Sequence, residues 1–112
     1  MNMAGMNMDM GALLKQAQKM QEDMQKSQEQ LALQEVLGTA GGGMVSVRMN
    51  GKKKILSIKI DPSIIDPQDT EGLEDLIIAA VNQASDEADK LSNDEMTKIV
   101  PKLPSGFKIP GF

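Results

Sequence analysis

Between Thr39 and Asp61 the chain gathers five cationic side chains, Arg48, Lys52, Lys53, Lys54 and Lys59, and the one carboxylate of the stretch is Asp61 at its end. Clustered ammonium and guanidinium groups suit one kind of chemistry, the binding of anions. The concentration is unexpected, because the whole chain of 112 residues has a formal net charge of −4. Residues 1–60 hold eight Lys or Arg against five Asp or Glu, whereas residues 61–112 hold four against eleven. A molecule so divided offers its basic part to an anionic partner. The plainer alternative is a pair of solvated polar faces, and charge alone favours it.

Other chemistries are short of tools. The chain has no Cys and no His, which removes thiol nucleophiles, disulfides, zinc-finger ligands, a Ser/His/Asp triad and a histidine pH switch. Catalysis would have to run on Asp, Lys and Ser, so no enzyme, cofactor or small-molecule substrate is expected. Gly41, Gly42 and Gly43 do not complete a phosphate loop: no helix start follows them, and Lys53 stands after Gly51-Lys52 where Ser or Thr is needed. A turn or close-packing role fits the triplet better. Asp69, Glu71, Glu74 and Asp75 cluster where a helix dipole favours negative charge, so no metal site is expected there. The opening "MNMAGMNMDMG" has neither a basic nor an apolar signal region, and no run of about 18 apolar residues occurs, so a cytoplasmic protein without membrane contact is expected.

The elements that must position the cations can be read from periodicity. Met10, Leu13, Ala17, Met20, Met24 and Leu31 recur at steps of three and four, interrupted by Ser27, and predict an amphipathic helix to about Leu33. At 1.5 Å per residue that helix is roughly 35 Å long, more than a compact domain with a radius of gyration of about 13 Å can cover. One end must project or pair with another chain. The narrow seam of those six residues is the candidate dimer interface.

Val45, Val47 and Met49 alternate with polar residues, Asn50-Gly51 supplies a tight-turn dipeptide, and Leu56, Ile58 and Ile60 alternate again. Only an even loop places all six apolar residues on one face; Arg48 and Lys59 then lie on the other, with Lys52, Lys53 and Lys54 at the tip. A short strand around residues 35–39 adds a third member. After a linker with two prolines, Leu73, Leu76, Ile77, Ala80, Val81, Ala84, Ala88 and Leu91 predict a second helix with a broad apolar face suited to covering the sheet. The expected organisation is a flexible N-terminus at 1–9, one dimerising domain at 10–100, and an extended tail at 101–112 anchored by Phe107 and Phe112.

The order of these elements, and "LLKQAQKMQEDMQKSQEQL", "GTAGGGMVSVRMNGKKKILSIKIDPSIIDP", "LEDLIIAAVNQASDEADKL" and "LPSGFKIPGF" within them, resemble the YbaB/EbfC family of small bacterial nucleoid-associated proteins. Its most specific words here are "KQAQKMQ", "GGGMV", "NGKK" and "LEDLIIAAVN", and the likeness runs from about residue 10 to the end. The resemblance implies an α+β fold with a long N-terminal helix, an antiparallel three-stranded sheet and a second long helix, assembled as a tweezers-like homodimer. It also implies binding of double-stranded DNA, association with the nucleoid and an influence on gene expression.

No residue-level DNA motif defines the family, so candidates rest on physics. Lys15, Lys19 and Lys26 lie near one stripe of the first helix, with Gln18 and Gln25 beside them, and form one phosphate-facing set. Arg48, Lys52, Lys53, Lys54 and Lys59 form the other. No recognition helix or aromatic stacking signature is present, so weak, salt-sensitive, mainly backbone-directed binding is expected, and repulsion from the acidic second helix weakens it further unless that helix faces away. The competing reading is a dimeric protein-interaction scaffold that grips its partner with the Met-bearing helix.

Overall fold

A computed structural model of the protein describes residues 9–99. The expectations for the N-terminal segment and for the tail carrying Phe107 and Phe112 lie outside the described residues, apart from Asp9. The chain runs α1 (Met10–Leu33), β1 (Glu35–Ala40), β2 (Val45–Asn50), β3 (Ile55–Ile60), a 3₁₀ turn (Pro62–Ile64) and α2 (Thr70–Thr97). This is the helix, three-stranded sheet and second helix that the periodicity predicts, with the last helix continuous through Ser92 and Asn93.

Each helix starts on an aspartate. Asp9 Oδ1 accepts from the Gly11 amide at 3.0 Å, and Asp69 Oδ1 from the Gly72 amide at 3.0 Å, so each satisfies one of the unpaired donors of a first turn. α1 ends at Gln34, whose backbone turns to an extended conformation and leads directly into β1.

The sheet is antiparallel in the order β1-β2-β3. Val45 pairs with Ile60 and Val47 with Ile58, so the body of the hairpin has the even register that the alternation predicts. Near the tip the register shifts, and Met49 faces Ile55 instead of Leu56. The turn itself is odd: Asn50 and Lys54 close it, and Lys53 takes a left-handed conformation with φ +68°. The bulge at Leu56 restores parity beyond it, which reconciles a three-residue turn with an apolar face.

One face of β1 and β2 is the core. Val45 and Val47 are fully buried against Ala80, Ala84 and Ala88 of α2, which are also fully buried, with Val36, Leu73, Leu76, Ile77 and Val81 around them. The alanines, one turn apart on α2, allow its backbone to approach the sheet closely at Gly38. Gly41, Gly42 and Gly43 all have positive φ and form the β1-β2 turn, the role predicted for the triplet. The edge strand β1 is also tied to α2 through its side chains, the Thr39 amide donating to Oε1 of Gln83.

Burial is uneven elsewhere. α2 lies over β1 and β2, leaving Ile55, Leu56 and Ile58 of β3 exposed, Ile58 to 42%. Among the described residues, α1 meets the rest of the fold through its C-terminal half, at the hairpin tip and the end of α2. Every residue from 10 to 19 is exposed, and Met20 is the first to be partly covered. The Cα radius of gyration is 21.5 Å, against about 13 Å for a compact chain of this size, so the overlong first helix does project.

Candidate functional site

The elements that carry the two predicted sets of cations, α1 and the hairpin, join at the hairpin tip. The Gly51 amide donates to Leu31 O at 2.8 Å and Gln34 O at 3.0 Å, and Asn50 Nδ2 donates to Ala32 O at 3.2 Å. The tip thereby caps the last carbonyls of α1, with the Gln34 amide sharing Leu31 O at 3.3 Å. Asn50, almost completely buried, also accepts from the amides of Lys52 (2.8 Å) and Lys54 (3.0 Å). Lys52, Lys53 and Lys54 are thus fixed at the negative end of the α1 dipole, a favourable place for positive charge. A β-carbon at Gly51 would meet Leu31 O at 2.7 Å, so the approach of the tip to α1 depends on glycine there.

From that junction Lys26, Lys19 and Lys15 follow one another outward along α1, all exposed. Lys15 and Lys26 are separated by about 16 Å along the helix axis. Between residues 10 and 21 α1 carries Lys15 and Lys19 and no carboxylate. Met10 (69% exposed) and Leu13 (49%) of the predicted seam lie on the same free-standing portion, whereas Leu31 is buried against Gly51 of its own chain. Ala17 is exposed, and Met20 and Met24 are partly covered.

Arg48 and Lys59 occupy the sheet face opposite α2. The acidic residues Glu74, Asp75, Asp86 and Asp94 are exposed on that helix, which packs on the other face of the sheet. Two cations are not unengaged. Arg48 donates to Glu35 Oε1 at 2.7 and 3.0 Å and to Ser57 at 3.2 Å, and Lys53 pairs with Asp89 of α2 at 2.7 Å. Among the described residues, Lys15, Lys19, Lys26, Lys52, Lys54 and Lys59 form no ion pair. Glu35 and Asp89 are the residues that the sequence did not point to. Glu35 sits diagonally across from Arg48 in the β1-β2 register, a cross-strand relation that the strand pattern alone could have suggested.

A family model described as the YbaB/EbfC DNA-binding family matches residues 6–103. The chain belongs to that family. The YbaB/EbfC model thus spans both helices, the sheet and every nominated cation. A nucleoid-associated protein of Clostridium novyi is 50% identical over 107 residues, covering 96% of this chain and 90% of that one. One from Xanthomonas axonopodis pv. citri is 52% identical over 100 residues, covering 88% and 92%, and one from Bartonella tribocorum is 48% identical over 105 residues, covering 91% and 97%. The crystal structure of an uncharacterized protein from Helicobacter pylori has the same fold, with a TM-score of 0.74 at 22% identity over 84% of this chain and 99% of that one. Among the described residues, no helix is long and apolar enough to cross a membrane.

Proposed function

We propose that this YbaB/EbfC family member is a homodimer that binds double-stranded DNA chiefly through phosphate contacts, acts at the nucleoid in the cytoplasm, and performs no catalysis. The observation that carries the reading is the outer half of α1: a stretch of helix exposed from residue 10 to residue 19, bearing two cations and no carboxylate. Ammonium groups on such an arm reach phosphates without moving the body of the protein, and each phosphate neutralised releases counterions. Lys26, nearer the hairpin end of α1, and Lys52 and Lys54 at the tip add further exposed cations.

Dimerisation rests on a different feature. A strand with Ile55, Leu56 and Ile58 exposed presents an apolar surface and an unpaired sheet edge, a combination that proteins usually cover. A second copy supplies that cover and doubles the arms, so that two weak sets of phosphate contacts act together.

Fluorescence anisotropy with two unrelated duplexes of equal length, at about 50 and about 200 mM salt, tests the reading. Saturable binding to both, weakening steeply with salt, is the expected result. Absence of binding at the lower salt would overturn it and favour a protein-interaction role for the exposed Met10 and Leu13 surface.

A further inference from the structure

Lys53 is the one tip lysine that α2 engages. Its backbone is fixed at φ +68° by the bond from its own amide to Asn50 O (2.9 Å), and the flanking amides of Lys52 and Lys54 are held by the Asn50 side chain. Its partner is equally well placed, since Asp89 directly follows Ala88, which is fully buried against the sheet. The 2.7 Å ion pair therefore joins two anchored points and bridges the hairpin to α2. Both side chains are about half exposed, at 48% and 52%, so the pair lies at the surface where a phosphate would compete for the ammonium.

We infer that Asp89 withholds Lys53 from DNA, acting as a built-in competitor for phosphate that sets the affinity and the salt dependence of the tip. The inference rests on the proposed DNA binding. Lys52 and Lys54 flank Lys53 without ion pairs among the described residues and remain available, so Asp89 subtracts one cation from a cluster of three. An exposed ion pair is weak, which makes the effect a modulation and not a block.

The test is a charge cycle measured by DNA anisotropy as a function of salt on four full-length proteins: wild type, Asp89→Asn, Lys53→Gln, and the double variant. Asp89→Asn is expected to bind about two- to fivefold tighter at low salt, with the slope of log affinity against log salt steeper by about 0.9 per released lysine. The double variant restores the net charge of the native pair and is expected to match wild type in affinity and slope. If Lys53 already contacts phosphate in the native protein, the double variant binds more weakly with a shallower slope, and that result overturns the inference. So does an Asp89→Asn protein with unchanged or reduced affinity. Failure of wild type itself to bind either duplex would instead remove the DNA-binding reading on which the inference stands, so the two failures are told apart in one experiment.

Discussion

Gly38 of β1 and Ala84 of α2 touch with no room for a methyl group between them: a β-carbon at Gly38 would lie 2.8 Å from the Ala84 β-carbon and would collide with the backbone of Ala80 and Ala84. Backbone atoms cannot rotate away as a side chain can, so relief requires lifting α2 from the sheet. That helix covers Val45 and Val47, the fully buried centre of the core. Gly38→Val is therefore expected to cost about 3 kcal/mol or more. Urea unfolding should show the midpoint falling sharply, and a variant within about 0.5 kcal/mol of wild type would contradict this packing.

A second stability test falls on Asn50, whose side chain makes three hydrogen bonds, donating to Ala32 O and accepting from the amides of Lys52 and Lys54. Asn50→Ala leaves those buried or partly buried groups without that partner and should destabilise by about 2–3 kcal/mol. Asn50→Asp keeps both acceptor bonds but sets a buried carboxylate oxygen against Ala32 O at the negative end of the α1 dipole, so a loss of at least the same size is expected. Thermal unfolding of the two variants checks both losses; an Asn50→Ala protein as stable as wild type would mean that the turn amides find other partners.

How much of this was legible from the sequence depends on the range of the interaction. The bounds of α1 followed from the recurrence of Met10, Leu13, Ala17 and Met20, and the strand register in the hairpin body from the alternation of Val45 and Val47 with Ser46 and Arg48. Both are local periodicities that the backbone geometry imposes. The bulge at Leu56 was not legible, because an even loop, and an odd turn followed by a bulge, give the same apolar face. For the candidate site, the exposure of Lys15, Lys19 and Lys26 could be expected from their places off the seam. The pairing of Lys53 with Asp89 could not, since it arises from how far α2 runs past the sheet. The burial of Leu31 by Gly51 has the same origin, a tertiary contact between residues far apart in the chain.

Acid should weaken the segment that links β3 to α2. Asp61 Oδ1 accepts the Ser63 amide at 2.9 Å, and hydrogen bonding from the Ser63 backbone, then from its side chain, lowers the Asp61 pKa from its ordinary value. A depressed folded pKa means that the stabilisation is complete above the unfolded carboxylate value, about 3.9, and is lost as pH falls through the folded one. An NMR titration should find the Asp61 midpoint below that of the unfolded peptide, and Asp61→Ala should abolish this contribution to acid sensitivity. A midpoint at or above the peptide value would contradict the capped turn.

The dimer proposal predicts a mass change from one surface substitution. Ile58 faces the same side of the sheet as Val47, its cross-strand partner, but lies beyond the cover of α2 and is 42% exposed. Within one chain the half-exposed site lets a lysine lay its stem on the sheet and keep its ammonium in water, so the protomer should stay folded. Across a dimer it places an unpaired ammonium in an apolar interface. Sedimentation should report twice the protomer mass for wild type and a shift toward the single mass for Ile58→Lys, with the helical circular dichroism retained. A wild-type protein of protomer mass at micromolar concentration would count against the dimer directly.

The last prediction separates cations by position. Lys15 and Lys19 stand on the free half of α1, whereas Lys90 is on α2 and pairs with Glu87 at 3.1 Å. If phosphate contact depends on the projecting arm and not on overall charge, the double variant Lys15→Gln/Lys19→Gln removes up to two contacts per arm. In a dimer the slope of log affinity against log salt should then become shallower by about 3 to 4. Lys90→Gln also lowers the net charge but should leave that slope within error. Equal losses per charge in the two proteins would mean that a diffuse field governs binding and that the arm has no special role; a loss confined to the arm would place the DNA along α1 and leave the acidic helix outside the contact.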